Sequence, residues 1–235
     1  MHFHLPKPLH GWREFLGEVG IIVVGVLIAL GAEQAVESVH WTSEVETERA
    51  SLLQEARDSF EVVAARGIQQ GCVDRRLHEI RELLEQHHRG LSVEVLGPIG
   101  QPTRNSATRG SWQIALAGQA LSHMPHSEKL KFSDAFGWFD KWDQAIFQES
   151  AIWLRLSPLN TPSLLSNEDW SGLTSAYAEA VVVNERMRRF SSEILAKNLP
   201  GIEKYRTGGN FSRVTSLNDQ VCRPVLRVGK SEQAT

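Results

Sequence analysis

Between positions 15 and 36 this chain is interrupted only by Glu18, Glu33 and Gln34, and residues 19–32 carry no charged or strongly polar side chain. No other feature limits the possible folds so strongly. As an α-helix, residues 19–32 give ~21 Å, short of the ~30 Å hydrocarbon core of a bilayer. Extended to residues 15–36 the helix supplies ~33 Å, with Glu18 and Glu33 near the two interfaces, where charge costs less than at the midplane. Trp12 and Trp41 then fall ~43 Å apart, about the bilayer thickness with headgroups, as suits a pair of interfacial aromatic anchors. The reading is a single uncleaved transmembrane helix in contact with the lipid bilayer.

Two other readings compete. Ala29-Leu30-Gly31 has the small-x-small form of a signal-peptide cleavage site, but Glu14 and Glu18 sit where a positive n-region belongs. A buried core helix would need a large protein around it. Flanking charge orients the span. Lys7 and Arg13 precede it, whereas Glu33, Glu37, Glu44, Glu46 and Glu48 follow before Arg49. Basic flanks resist translocation, so residues 1–14 are expected in the cytoplasm and the rest across the membrane, which in a bacterium is the periplasm. Within the span, Gly25 with Ala29 and Gly31 with Ala35 form small-xxx-small pairs that let a second helix approach. Glu18 is read either as an interfacial carboxylate or as a functional intramembrane group.

Trp12, Phe15 and Glu18 followed by the apolar run 21–30 resemble the N-terminal signature of uncharacterised proteobacterial envelope proteins with one N-terminal span and a helical extramembrane region. The resemblance covers about residues 12–41. It implies a bitopic inner-membrane protein and brings no activity.

The remainder is sized for one domain, and 41% hydrophobic with 23% charged residues is the composition of a chain that folds. Lys plus Arg number 25 against 28 Asp plus Glu, with signs interleaved after the span, so there is no basic stripe for nucleic acid. The fold class expected is all-α: the span continues into a bundle of about four to five helices over residues 37–206, followed by an irregular tail, 207–235. Val45, Leu52, Ala56, Phe60 and Val63 share one stripe and carry the first helix out of the membrane, with a kink allowed near Trp41 at Thr42-Ser43. A turn near Gly67 and Gly71 precedes a second helix with the face Val73, Leu77, Ile80 and Leu84, stopped at Gly90. Residues 91–105 read as an irregular connector or contact loop, and a small-residue helix follows over about 106–124.

After Pro125, with Ser127 as N-cap, an aromatic helix runs to about Leu156. Phe132, Phe136, Phe139 and Ile146 form its core stripe, while Trp138, Trp142 and Trp153 spread beyond it and are the candidates for a pocket or interface if they are not core. Ser166 and Asp169 make a capping box for a last helix to about Leu199, with Trp170, Leu173, Tyr177, Val181, Asn184, Met187 and Ile194 on its stripe; Asn184 is a candidate register residue.

Cys72 and Cys222 are the only cysteines, and in an oxidising compartment they form a bridge that staples the tail to the bundle. No phosphate loop, nucleophile elbow, H-E-x-x-H or C-x-x-C is present. His87-His88 diverge on a helix, and His123 and His126 lack a third ligand, so no metal or other cofactor is expected. The functional expectation is a non-enzymatic interaction or assembly module with a protein partner or self-association. A ligand-sensing or carrier bundle with an aromatic-lined pocket is the alternative, and an enzyme without a recognisable motif ranks third.

Overall fold

The computed structural model describes residues 11–196 and 219–226. Six α-helices lie among them: α1 (Trp12–Ile68), α2 (Gln70–His88), α3 (Gly110–Ala117), α4 (Ala120–His123), α5 (His126–Arg155) and α6 (Asn167–Leu195). Short 3-10 turns occupy Ser157–Asn160, Pro162–Leu164 and Asp219–Cys222, and no strand occurs among the described residues. The protein is all-α, with an N-terminal membrane-length apolar helix that continues into a helical bundle.

α1 runs 57 residues without a break, ~86 Å at 1.5 Å per residue. The kink allowed at Trp41 does not form. The Thr42 and Thr47 hydroxyls donate back to the Ser38 and Ser43 carbonyls, at 2.8 and 3.0 Å, so these residues sit inside the helix and cap nothing. The turn expected near Gly67 and Gly71 falls between them, as the single residue Gln69 (φ −74°, ψ −4°), whose N–H still reaches the Ala65 carbonyl at 3.3 Å, and α2 begins at Gln70. α2 ends in a Schellman arrangement: Gly90 (φ 71°) donates to the His87 carbonyl and Leu91 to that of Gln86.

Opposite α1 and α2, α5 ascends and α6 descends. Glu128 near the start of α5 pairs with Arg49, and its last turns join α2; α6 begins with Trp170 stacked on His87 and ends with Ile194 beside the Val45 end of α1. Residues 91–123 complete an up-down-up-down circuit as an extended strap followed by α3 and α4. The core has two parts. A membrane-proximal part joins Val45, Leu52, Phe60 and Val63 to Phe132, Phe136, Phe139 and Trp142. A distal part joins Val73, Leu77, Ile80 and Leu83 to Trp153, Leu156, Trp170 and Leu173.

Several local expectations need correction. The helix expected over 106–124 starts only at Gly110, because residues 106–109 stay extended with Ala107 and Thr108 bonded to neighbouring helices, and it is divided in two at Gly118-Gln119. Pro125, not Ser127, is the N-cap of α5. On α2, Leu83 is buried and Leu84 half-buried; on α6, Val181 is 41% exposed and the buried face runs through Ala176, Ala180 and Val183. Most of the expected α6 stripe is buried, at Trp170, Leu173, Asn184, Met187 and Ile194, with the small Ala176 and Ala180 and Val183 filling the face between them. Leu199, Pro200-Gly201, Gly208-Gly209 and the 206/207 boundary lie outside the described residues.

Candidate interaction sites at the membrane junction and on the bundle

From residue 15 to residue 40 every side chain is exposed, including Leu27 and Ile28 at 62% and 67%. A stripe of this length with no protein cover is matched to lipid. Trp12 stands at its start, Glu18 and Glu33 near its ends, and nothing approaches within 4 Å of where a side chain on Gly25 would stand; Ala29 is equally open. The predicted anchor residues thus share one helix and one solvent, and among the described residues no second helix covers them.

Trp41 marks the junction. Its indole N–H donates to Glu37 at 3.2 Å, and its ring stacks on His123 of α4, centroids 4.0 Å apart and 13° from parallel. One step farther from the span, Arg49 grips Glu128 through Nε and Nη2 at 2.5 and 3.0 Å, and the bonded carboxylate holds the guanidinium pKa above its ordinary value. Burial, and secondarily Glu44, pushes the Glu48 carboxyl up. Between α1 and α4 lies an open cavity of about 600 Å³, lined by Gln34, Glu37, Ser38, Trp41, Thr42, Val45, Glu46, Arg49 and His123. His123 is therefore a stacking partner, while His126 is exposed on the first residue of α5. No group of three His, Cys, Asp or Glu side chains with metal-binding geometry occurs among the described residues.

The two core parts meet at a polar layer. Arg66 of α1, 1% exposed, makes a bidentate pair with Glu149 of α5 at 2.6 and 3.1 Å and donates to Asn184 of α6 at 3.0 Å. Gln70 and Asp74 of α2 extend the network to Asn184, and Arg188 closes it on Asp74. Asn184, the candidate register residue, is 4% exposed and stands at the centre of this network. Glu149 was not singled out in the sequence, although a carboxylate at core spacing with Trp142, Ile146 and Trp153 was the available signal; its partner lies 83 positions away and no local pattern names it.

Trp142 and Trp153 are 0% and 2% exposed, so they fill core. Trp138 is half-buried, edge-on to Phe190 at 5.9 Å, its indole N–H on Asp134 and the Lys141 ammonium 4.6 Å above its ring. The three tryptophans do not surround one opening. The apolar surface lies elsewhere, in a groove of about 320 Å³ between α5 and α6 floored by Ile152 and Val183. Gln148–Arg186 and Arg155–Glu179, both 2.7 Å, bridge the helices at its two ends. Val182 lines it at 64% exposure, whereas Phe147 and Leu154, also exposed, share a separate stripe of α5 that is not part of its lining.

Cys72 and Cys222 are bonded, their Cα atoms 4.7 Å apart, as the cysteine count suggested. Sequence did not reveal the clamp around them. Arg76, 0% exposed, donates to the carbonyls of Pro98, Gln220 and Arg223 and to Glu79, whose other oxygen takes the Val225 N–H at 3.1 Å. Burial pulls the Arg76 pKa down against the raising effect of Glu79. Residues 219–226 are thereby packed on α2, with Val221 and Val225 in the distal core. Comparison with protein-family models, with curated proteins and with solved structures returns no match for this chain.

Proposed function

We propose that this chain is a bitopic envelope protein of the bacterial inner membrane, N-terminus in the cytoplasm, whose periplasmic helical bundle is a non-enzymatic interaction or assembly module. The observation that carries the reading is the apolar groove between α5 and α6, floored by Ile152 and Val183 with Val182 64% exposed on its wall. An exposed apolar groove rimmed by charged side chains suits a protein-binding surface. The Cys72–Cys222 bond suits an oxidising compartment, and the basic-then-acidic flanks of the span suit the proposed orientation. Membership in the proteobacterial envelope group that residues 12–41 resemble is part of the same proposal. The carrier alternative asks Trp138, Trp142 and Trp153 to ring a cavity, and two of them are core.

The test is photo-cross-linking in membranes from full-length protein bearing a benzophenone side chain at position 178 or 182 in the groove, with the exposed position 85 on α2 as control. A discrete adduct at 178 and 182, absent at 85 and, for the label at 178, lost on Val182→Glu, is expected. Equal labelling at all three positions, or none, overturns the interaction surface. A reporter fused after Thr235 and active only in the cytoplasm overturns the orientation.

A further inference from the structure

We propose that the cavity at the foot of the bundle is a headgroup site for an amine-bearing zwitterionic phospholipid, of which phosphatidylethanolamine is the type. Its position argues for lipid. The cavity begins at Gln34, where the span ends, and Trp41, the interfacial aromatic, forms part of its wall. Below it the same face of α1 continues through Leu27 and Gly31 into the exposed apolar stripe, a track for acyl chains. At about 600 Å³ the space is in the range of small-molecule sites.

The charges select the headgroup. The lining holds two carboxylates, Glu37 and Glu46, against one guanidinium, and that guanidinium is already bonded twice to Glu128. An anionic headgroup meets net repulsion there, so the ligand must bring a cation. Order along the rod places its parts. Glu46 lies four residues beyond Thr42, ~6 Å farther from the bilayer. A phosphate at the level of Thr42 and the His123 ring therefore puts the headgroup's outer ammonium at Glu46. A primary ammonium has three N–H donors for that carboxylate, whereas a trimethylated one has none, which separates ethanolamine from choline. A helix from a second copy or a partner would favour an apolar seat, and this one is polar.

Full-length protein is reconstituted in nanodiscs of equal phosphatidylethanolamine, phosphatidylcholine and phosphatidylglycerol, and the lipids retained are counted by native mass spectrometry. Several-fold enrichment of phosphatidylethanolamine is expected, lost in Glu46→Gln and replaced by phosphatidylglycerol in Glu46→Lys. Glu46 is exposed, so unchanged melting of both variants reports intact folding; His123→Ala, which removes one wall of the cavity, lowers retention of all three lipids. Equal retention of the three by the native chain, the same order in Glu46→Lys, or efficient chain-to-chain disulfides from Thr42→Cys in place of lipid retention would each overturn the site.

Discussion

Arg66 and Glu149, 1% and 2% exposed at their side chains, give up almost all of their hydration to face each other. Removing one partner strands the other, which costs roughly 3–5 kcal/mol, whereas replacing both by apolar groups of similar volume is often neutral. In denaturant titrations, Glu149→Leu is expected to lose about that much and Arg66→Met with Glu149→Leu to regain most of it; equal losses would mean the pair is not energetically coupled. A surface residue gives the complementary case. The Ser166 hydroxyl, then its backbone N–H, holds the Asp169 carboxyl below its ordinary 3.8. The unfolded chain therefore takes up the proton first, so the contribution of this cap is complete above that value and is lost as pH falls through the lower folded one. Ser166→Ala should cost about 1 kcal/mol at neutral pH and flatten the acid limb of the stability curve. The capping box was legible because its partners lie three residues apart; the Arg66 pair was not, because nothing local links it.

Among the elements, the extended strap departs most from what periodicity reveals. Its N–H groups are taken by side chains of its neighbours: Ile99 on Asn160, Thr103 on Gln69, Ala107 on Asp143 and Thr108 on Ser59; Trp112, at the head of α3, follows on Glu55. An extended segment secured in this way has neither the period of a helix nor the partner of a strand, so its sequence shows only glycines, prolines and polar residues. The amphipathic helices α1, α2, α5 and α6 were readable from the same physics in reverse, since each buries one stripe. Gly100 is the tightest point of the strap. At φ 66° a side-chain carbon there would stand 2.9 Å from the backbone of Gln220 and Val221. Gly100→Ala combines that clash with a left-handed backbone costing about 1–2 kcal/mol. Hydrogen exchange should show faster exchange at Leu96, whose N–H donates to the Val225 carbonyl at 2.9 Å, and at Val225, whose N–H donates to Glu79 at 3.1 Å; unchanged protection there would refute the close approach.

For the whole molecule, the Cys72–Cys222 bond spans 150 residues. A closure that long is worth up to ~5 kcal/mol in the chain-entropy account. Reduction, or Cys72→Ser with Cys222→Ser, should lower the melting temperature while far-ultraviolet helicity stays intact, since Arg76 and Glu79 still hold the tail. Loss of helicity on reduction would show instead that the bond is required for the bundle. Span, bundle class and bridge were legible in the sequence because each rests on composition or spacing. The α5/α6 groove was not, because Ile152, Val182 and Val183 come to line one opening only when the two helices pair.

The unbroken course of α1 makes the protein a lever. From residue 36 to Ile68 the rod extends ~48 Å beyond the span, so a membrane tilt of ~20° swings its far end ~16 Å sideways. A span that leans to match a thinner bilayer thus lowers and turns the whole bundle. Membrane thickness is thereby converted into the height and heading at which the α5/α6 groove is presented.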